Sequence, residues 1–260
     1  LQAAPGCFFM RKDEAPRLLD RDDLSRTRRD FHTALETEPD PIVRRRIRRE
    51  LRLVATWQSA LAALLAEESP VLPAAPGKPA PGDGRARIEL KERATILPFP
   101  SPVACTAGYD DAHLYLRFET AARDVARLRN IPSSGNPGDA FRADCIEVFL
   151  QPDAPGNDYF QFAFSPAGHV YAAKCTFQPL YFDTSFRPRI HAVNSFRGSR
   201  WICEVALPCV CLGAQGPRPG AAWRASFCKK EQTRECHLLG GWPNGGSYHN
   251  PSKFGTVSFR

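Results

Sequence analysis

The sequence predicts a mostly β protein, an antiparallel β-sandwich that follows a pair of N-terminal α-helices. Three observations favour this class. Short segments of alternating apolar and polar residues recur after residue 100, helical periodicity is confined to the first 69 residues, and the 260 residues include 24 Pro and 18 Gly. So many residues that interrupt helices exclude an all-helical protein.

The helical pair is predicted from two periodic stretches, at about 15–38 and 41–68. Asp40 and Pro41 are typical of a helix start, as an N-cap and a first-turn proline. The second stretch then has one apolar stripe, formed by Val43, Ile47, Leu51, Val54, Leu61 and Leu65. Because two helices with one stripe each cannot bury themselves, we expect residues 1–69 to be the end of an upstream domain or a packing arm.

The segment that follows is rich in Pro and Gly. Residues 69–84 contain five prolines and three glycines, a composition typical of a stiff, extended spacer. We therefore predict a linker at 70–84 and a domain boundary there. The chain opens on Leu1 rather than Met, so we expect it to be part of a longer protein or a processed product.

The strands of the sandwich are predicted from period-two alternation between turn residues. Phe160, Phe162 and Phe164 mark one face of such a strand. The predicted strands lie at 103–107, 113–119, 145–151, 159–165, 170–175, 189–196, 200–207, 222–230 and 254–259. Many short strands with few helices between them indicate two stacked antiparallel sheets.

The net charge of +7 raises the question of a nucleic-acid partner. The most concentrated basic run, at 44–52, lies within residues 1–69, where 13 basic and 12 acidic side chains nearly cancel. This balance favours a solvated helix face, so we predict no nucleic-acid partner. The sequence also contains no run of eighteen apolar residues, and we predict no membrane partner.

The nine cysteines include no C-x-x-C pair, so neither a zinc ribbon nor a thioredoxin-like site is predicted. Four of them fall within apolar runs, where a free thiol behaves as a small buried side chain: Cys145, Cys175, Cys203 and Cys228. The six histidines show no zinc-ligand spacing. These patterns do not show whether the protein binds a metal ion.

Four stretches resemble family 9 carbohydrate-binding modules and the wider group of CBM9-like domains, across about residues 85–260. They are DDAHLYL at 110–116, DCIEVFL at 144–150, WICEVALP at 201–208, and WP at 242–243 leading to YHNPSKFG at 248–255. The helical segment resembles the C-terminal helical end of glycoside-hydrolase-like multidomain proteins. The related DOMON-type sandwich implies a haem-binding alternative, but the single methionine, Met10, lies outside the predicted sandwich.

The CBM9 resemblance implies a sandwich that holds a sugar between two aromatic rings without catalysis, often with structural Ca²⁺. Phe141 and Tyr248 match the two ring positions, and Glu147 matches a carboxylate that accepts hydrogen bonds from sugar hydroxyls. Both rings are usually Trp in the family, and Gly245 stands where the family offers a polar amide. The sequence leaves open whether binding is retained.

The remaining candidate binding residues are His249, Asn250 and Trp242, which flank or precede Tyr248 in a glycine-rich loop. Each candidate also has a structural interpretation. The rings of Phe141, Tyr248 and Trp242 could pack on the core, and Glu147 could form an ion pair with Arg142 or Arg224. Four aspartates are candidate calcium ligands, although no EF-hand loop is present: Asp110, Asp111, Asp153 and Asp158.

The functional prediction is non-catalytic carbohydrate binding, as an accessory module of a polysaccharide-degrading glycoside hydrolase. No catalytic motif is present, so hydrolysis would reside upstream of this chain, and its predicted partners are a saccharide and that upstream domain. The alternative is a sandwich that has lost its ligand and docks the helical domain of the parent enzyme. The family resemblance implies a secreted or periplasmic protein.

Overall fold

The computed structural model describes residues 21–66, 70–92, 98–122, 124–152, 156–214, 216–232, 237–243 and 248–260. The chain divides into two compact units between Glu68 and Ser69. The beginning of the first predicted helix and Met10 lie outside the described residues.

The first unit contains helices α1 (Arg21–Thr37) and α2 (Pro41–Ala66), which contact each other. Asp40 caps α2 as predicted, because its carboxylate accepts a hydrogen bond from the backbone N–H of Ile42 at 2.7 Å. Val54 of the apolar stripe is 4% exposed. None of the helices in the described ranges has both the length and the apolar character needed to cross a membrane.

The second unit is mostly antiparallel β-sheet, which confirms the predicted sandwich. Each of the nine predicted strands overlaps an observed one. In chain order the elements are β1 (Val71–Pro76), β2 (Arg87–Glu92), β3 (Pro98–Tyr109), β4 (His113–Ala121), α3 (Val125–Arg129), β5 (Cys145–Gln151), β6 (Asp158–Phe164), β7 (Val170–Thr176), β8 (Tyr181–Asp183), β9 (His191–Arg197), β10 (Arg200–Pro208), β11 (Ala222–Gln232), β12 (His237–Trp242) and β13 (Gly255–Phe259).

The strands pair in the order β8-β7-β6-β5-β11-β12-β2-β3-β4-β10-β9. Strand β11 joins the two halves of this order, because its first part pairs with β13 and its later part with β12, while β5 runs along its other edge. One interior cluster lies between the layers, with contributions from Phe162 on β6, Phe227 on β11, Phe118 on β4 and Trp201 on β10. Among the described residues this cluster forms the main core of the sandwich.

The structure differs from the expected linker at residues 71–76. Strand β1 lies within the predicted spacer, where it pairs in parallel with β13 and β3. Leu72 and Ala74 on this strand are 0% exposed and belong to the interior cluster. Prolines are tolerated at Pro73 and Pro76 because a proline keeps the extended conformation and removes only the N–H donor. This stretch is part of the sandwich, not a spacer without a core.

The cysteines behave as small apolar side chains in the described part of the chain. Seven of them are free thiols there, and the four expected in apolar runs are buried. Burial raises the pKa of Cys105 and Cys203, so these thiols are unreactive in the folded state. Cys7 and Cys236 lie outside the described residues.

We expect Leu72→Ala to lower the free energy of unfolding by about 2–5 kcal/mol, because it leaves a cavity in the main core. The matched control is Val71→Ala on the same strand, where the side chain is 49% exposed and the loss should stay near 0.5 kcal/mol. Urea unfolding monitored by circular dichroism measures both. Equal losses in the two variants would contradict the placement of β1 in the core.

Candidate functional site

The side chains of strand β5 alternate between two chemically different faces of its sheet. Ile146, Val148 and Leu150 point into the main core, and by alternation Glu147 and Phe149 point to the opposite side. We call this opposite side of β5, β6, β7 and β11 the outer face. It carries a second apolar cluster of Phe149, Tyr159, Ala173, Cys175, Cys228 and Phe254, with Tyr171, Phe177, Phe182 and Tyr248 packed against it.

Tyr248 lies on the outer face, half-buried. Its ring stacks on Phe149 with the centroids 6.0 Å apart and an interplanar angle of 17°. Its hydroxyl donates a hydrogen bond to the carbonyl of Gly240 at 3.2 Å. The ring also covers Gly241, where a Cβ atom would lie 2.8 Å from Tyr248 Cε1. The absence of a side chain at Gly241 is therefore what allows this ring position.

His249 is held among aromatic rings beside Tyr248. Its Nδ1 atom lies 2.8 Å from the hydroxyl of Tyr159, within hydrogen-bond distance. The ring of His249 also contacts two aromatic rings edge to face, with centroid distances of 5.2 Å to Phe149 and 5.1 Å to Phe182. Tyr159 is 2% exposed, and burial raises its pKa. His249 thus fixes the backbone next to Tyr248.

Phe141 approaches the outer face from the other side. It ends a short 3₁₀ helix (Pro137–Phe141) that precedes β5. Its half-buried ring meets Tyr171 of β7 edge to face, with centroids 4.9 Å apart at 65°. The described contacts therefore place one ring pair at each side of the outer face, Phe141 with Tyr171 and Tyr248 with Phe149.

A buried carboxylate holds the loop that carries Phe141. Asp139 is 3% exposed and accepts hydrogen bonds from Ser134 N–H at 2.6 Å, Ser134 Oγ at 2.7 Å and Ser133 Oγ at 3.2 Å. Arg142 Nη1 lies 3.6 Å away. These contacts, the Ser134 hydroxyl above all, lower the pKa of Asp139 to about 2. Asp139 is therefore charged at neutral pH and keeps the loop folded.

Glu147 lies in the middle of the outer face. Its Oε2 accepts a hydrogen bond from Gln161 Nε2 at 2.8 Å. One register row crosses five strands at this level and consists of Tyr171, Ala163, Glu147, Cys228 and Gly241. Neighbouring strands lie about 4.8 Å apart, so the row spans roughly 19 Å. The neighbours of Glu147 in this row, Ala163 and Cys228, have small side chains, so its carboxylate is the charged group of the row.

The structure places two other sequence-predicted residues differently. Trp242 is not on the outer face: it is 6% exposed and stacks on Phe227 in the main core, with centroids 5.3 Å apart. Its ring also explains Gly255, where a Cβ would lie 2.7 Å from Trp242. Asn250 uses its side-chain oxygen to cap the 3₁₀ helix Pro251–Lys253, accepting from the N–H of Ser252 at 3.0 Å.

The two arginines considered as partners of Glu147 are engaged elsewhere. Arg142 donates to the carbonyl of Pro132 at 3.2 Å, besides its contact with Asp139. Arg224 donates to the carbonyl of Ser252 at 3.1 Å.

The sequence reasoning missed Gln161, Tyr171 and Lys230. The sequence signal for Gln161 is its polar side chain between two phenylalanines on one strand. Its pairing with Glu147 depends on a strand register that the sequence does not reveal. The positions of Tyr171 and Lys230 on the outer face depend on strand register in the same way. Lys230 Nζ donates a hydrogen bond to the carbonyl of Phe141 at 2.8 Å.

The candidate calcium ligands do not form a site in the described residues, where no group of three or more His, Cys, Asp or Glu could hold a metal ion. Asp110 instead accepts hydrogen bonds from Ala112 and His113, and Asp158 accepts one from Thr176. Asp153 lies outside the described ranges. The candidates that lie in the described ranges therefore do not fit a calcium ion.

Three solved structures share this architecture. A protein from Bacteroides uniformis described as carbohydrate-binding matches with a TM-score of 0.59 and 16% identity, covering 74% of this chain and 100% of its own. A family 9 carbohydrate-binding module from Caldicellulosiruptor kristjanssonii, solved with cellotriose, matches with a TM-score of 0.53 and 14% identity, over 74% of this chain and 94% of the module. The fold is that of a CBM9-like β-sandwich.

A second structure of a family 9 module from that organism, solved with glucose, agrees: its TM-score is 0.51 at 15% identity, over 74% of this chain and 96% of the module. At these identities the likeness establishes the CBM9-like fold alone. No protein-family model and no curated protein sequence matches this chain.

We expect the carboxyl ¹³C signal of Asp139 to titrate near pH 2. Because its pKa is lowered from 3.8, its stabilising effect is complete above pH 3.8 and is lost as the pH falls through about 2. Asp139→Asn should lower the thermal unfolding midpoint more than the control Asp111→Asn at an exposed turn. Titration near pH 4, or equal effects of both substitutions, would contradict the role of Asp139 in holding the loop.

Proposed function

We propose that the outer face binds a saccharide without catalysing its breakdown. The observation that supports this most is the row that passes from Tyr171 through Glu147 to Gly241, with the rings of Phe141 and Tyr248 at its two sides. A sugar ring has apolar C–H faces and a rim of hydroxyl groups. Aromatic rings pack against the C–H faces, and a carboxylate held in place accepts hydrogen bonds from the hydroxyl groups.

Glu147 and Gln161 provide the polar part of this arrangement. The hydrogen bond between them orients the carboxylate, and the carbonyl oxygen of the Gln161 amide is a further acceptor on the same face. Burial raises the pKa of Tyr171, with further contributions from Cys175 and Glu147, so its hydroxyl stays a hydrogen-bond donor at neutral pH. The face therefore combines acceptors and a donor between rings.

A non-catalytic role agrees with the carboxylates of this face. Hydrolysis of a glycosidic bond uses two carboxyl groups placed across that bond. Among the outer-face residues named above, Glu147 is the single carboxylate. The family 9 modules with the same fold were solved with cellotriose and with glucose, which supports a saccharide ligand for this face as well.

The wider role that we propose is that of an accessory module. The helices α1 and α2 would belong to the helical part of a glycoside hydrolase, and the sandwich would hold the polysaccharide near that enzyme. A second candidate function is a scaffold without a ligand. It is favoured by the contacts of the rings with the protein itself, Tyr248 with Phe149 and Phe141 with Tyr171.

Isothermal titration calorimetry on the full chain, with glucose, xylose, galactose and their oligosaccharides, distinguishes these functions. We expect Phe141→Ala and Tyr248→Ala each to weaken binding about tenfold or more, because aromatic residues at binding sites commonly contribute more than about 1.4 kcal/mol. Glu147→Gln should also weaken binding, since an uncharged acceptor forms weaker hydrogen bonds with hydroxyl groups.

The matched control is Tyr181→Ala. Tyr181 is 62% exposed on β8 and alternates with Phe182, which packs on the outer face, so it points away from that face. Its removal should leave the affinity unchanged. The absence of binding to every sugar, or an equal loss in the control, would favour the scaffold without a ligand.

A further inference from the structure

We propose that Lys230 makes this face selective for saccharides that carry a carboxylate, the uronic acids, over their neutral counterparts. This inference rests on the proposed function and specifies its ligand class. It starts from two consecutive lysines on β11 that have different environments.

Lys229 and Lys230 point to opposite sides of β11. Lys229 is 0% exposed and turns inward, where its Nζ donates to Thr120 Oγ1 at 2.9 Å and lies 3.7 Å from Glu231. By alternation Lys230 shares the outer face with Cys228, and it is half-buried. Lys229 is therefore a structural residue, whereas Lys230 is part of the candidate site.

The ammonium group of Lys230 lies next to one of the two candidate rings. It donates to the backbone carbonyl of Phe141 at 2.8 Å, which places its charge within one residue of the ring. Lys230 pairs with Cys145 on β5, one step along the outer face from Glu147, which pairs with Cys228. A sugar lying on Phe141 would thus meet a cation on one side and the Glu147 carboxylate on the other.

The charge of Lys230 is not neutralised by a carboxylate within the described ranges. Its one hydrogen bond there goes to a neutral carbonyl, and it takes part in no ion pair there. An ammonium group has three N–H donors, and the bond to Phe141 uses one of them.

A carboxylate on the sugar would form a charge-assisted hydrogen bond with Lys230, which is stronger than a bond between neutral groups. The same arrangement also orients the sugar. Its carboxylate would lie toward Lys230 and away from Glu147, because two carboxylates repel each other, while its hydroxyls would face Glu147.

The test compares matched pairs of sugars by calorimetry on the full chain, glucuronic acid with glucose and galacturonic acid with galactose, at pH 7. Hydrogen bonds to charged groups commonly contribute enough for a tenfold or larger effect, so we expect the acids to bind about tenfold more tightly. Lys230→Met should remove this preference, and Lys230→Arg should keep it. The preference should also shrink as salt is raised.

Lys174→Met is the matched control. It makes the same change of charge on β7, where the ammonium lies 5.3 Å from the Phe186 ring on the opposite side of the sheet, and it should keep the preference. Thermal unfolding of each variant verifies that it is folded.

Equal affinity for acids and neutral sugars, or a preference that survives Lys230→Met, would overturn the selectivity and leave saccharide binding intact. A wild-type chain that binds none of the four sugars would overturn the proposed function together with the selectivity.

Discussion

The pairing of β5 between β6 and β11 is the constraint on which the rest of the sandwich depends. Both ladders run without a register shift, so every second residue of three adjacent strands points to the same side. A slip by one residue would exchange the two sides and place Glu147 in the main core. The apolar residues Ile146, Val148 and Leu150 prevent that slip, because their burial is lost if it occurs.

The same constraint gives the outer face its chemistry. In the register row of Glu147 the neighbouring strands contribute the small side chains of Ala163 and Cys228. Gln161 binds the Glu147 carboxylate, while the rings of Phe141 and Tyr248 come from loops and that of Tyr171 comes from β7. Each loop is held by a specific contact: Asp139 fixes the loop before β5, and the Tyr159 hydroxyl lies against His249 beside Tyr248. An outer face built on a sheet, with rings held in place by separate contacts, is a physical basis for selecting a flat ligand whose edge carries polar groups.

Much of the fold could be predicted from local patterns. Strand β5 was predicted at its observed limits because its alternation and flanking residues are unambiguous, and the helix start at Asp40 because capping is a local property. Strand β1 was missed because a Pro-rich segment is typical of a spacer, and its burial depends on β13, almost two hundred residues later in the chain.

The site was less accessible to sequence reasoning. Gln161 and Lys230 become neighbours of Glu147 and Phe141 only through strand pairing and loop folding, which one sequence does not specify. Trp242 was a candidate because it precedes the glycine-rich loop of Tyr248, but stacking on Phe227 buries its ring. For an aromatic residue beside a turn, the sequence is consistent both with ligand binding and with packing in the core until its packing partners are known.

The most direct test of the outer face as a saccharide-binding surface is nuclear magnetic resonance of the isotope-labelled full chain during a titration with glucuronic acid. The account predicts that the shifted backbone signals belong to Glu147, Gln161, Tyr171 and Lys230, while those of β9 and β10 stay in place. Shifts confined to β9 and β10, or no shifts at saturating sugar, would contradict it.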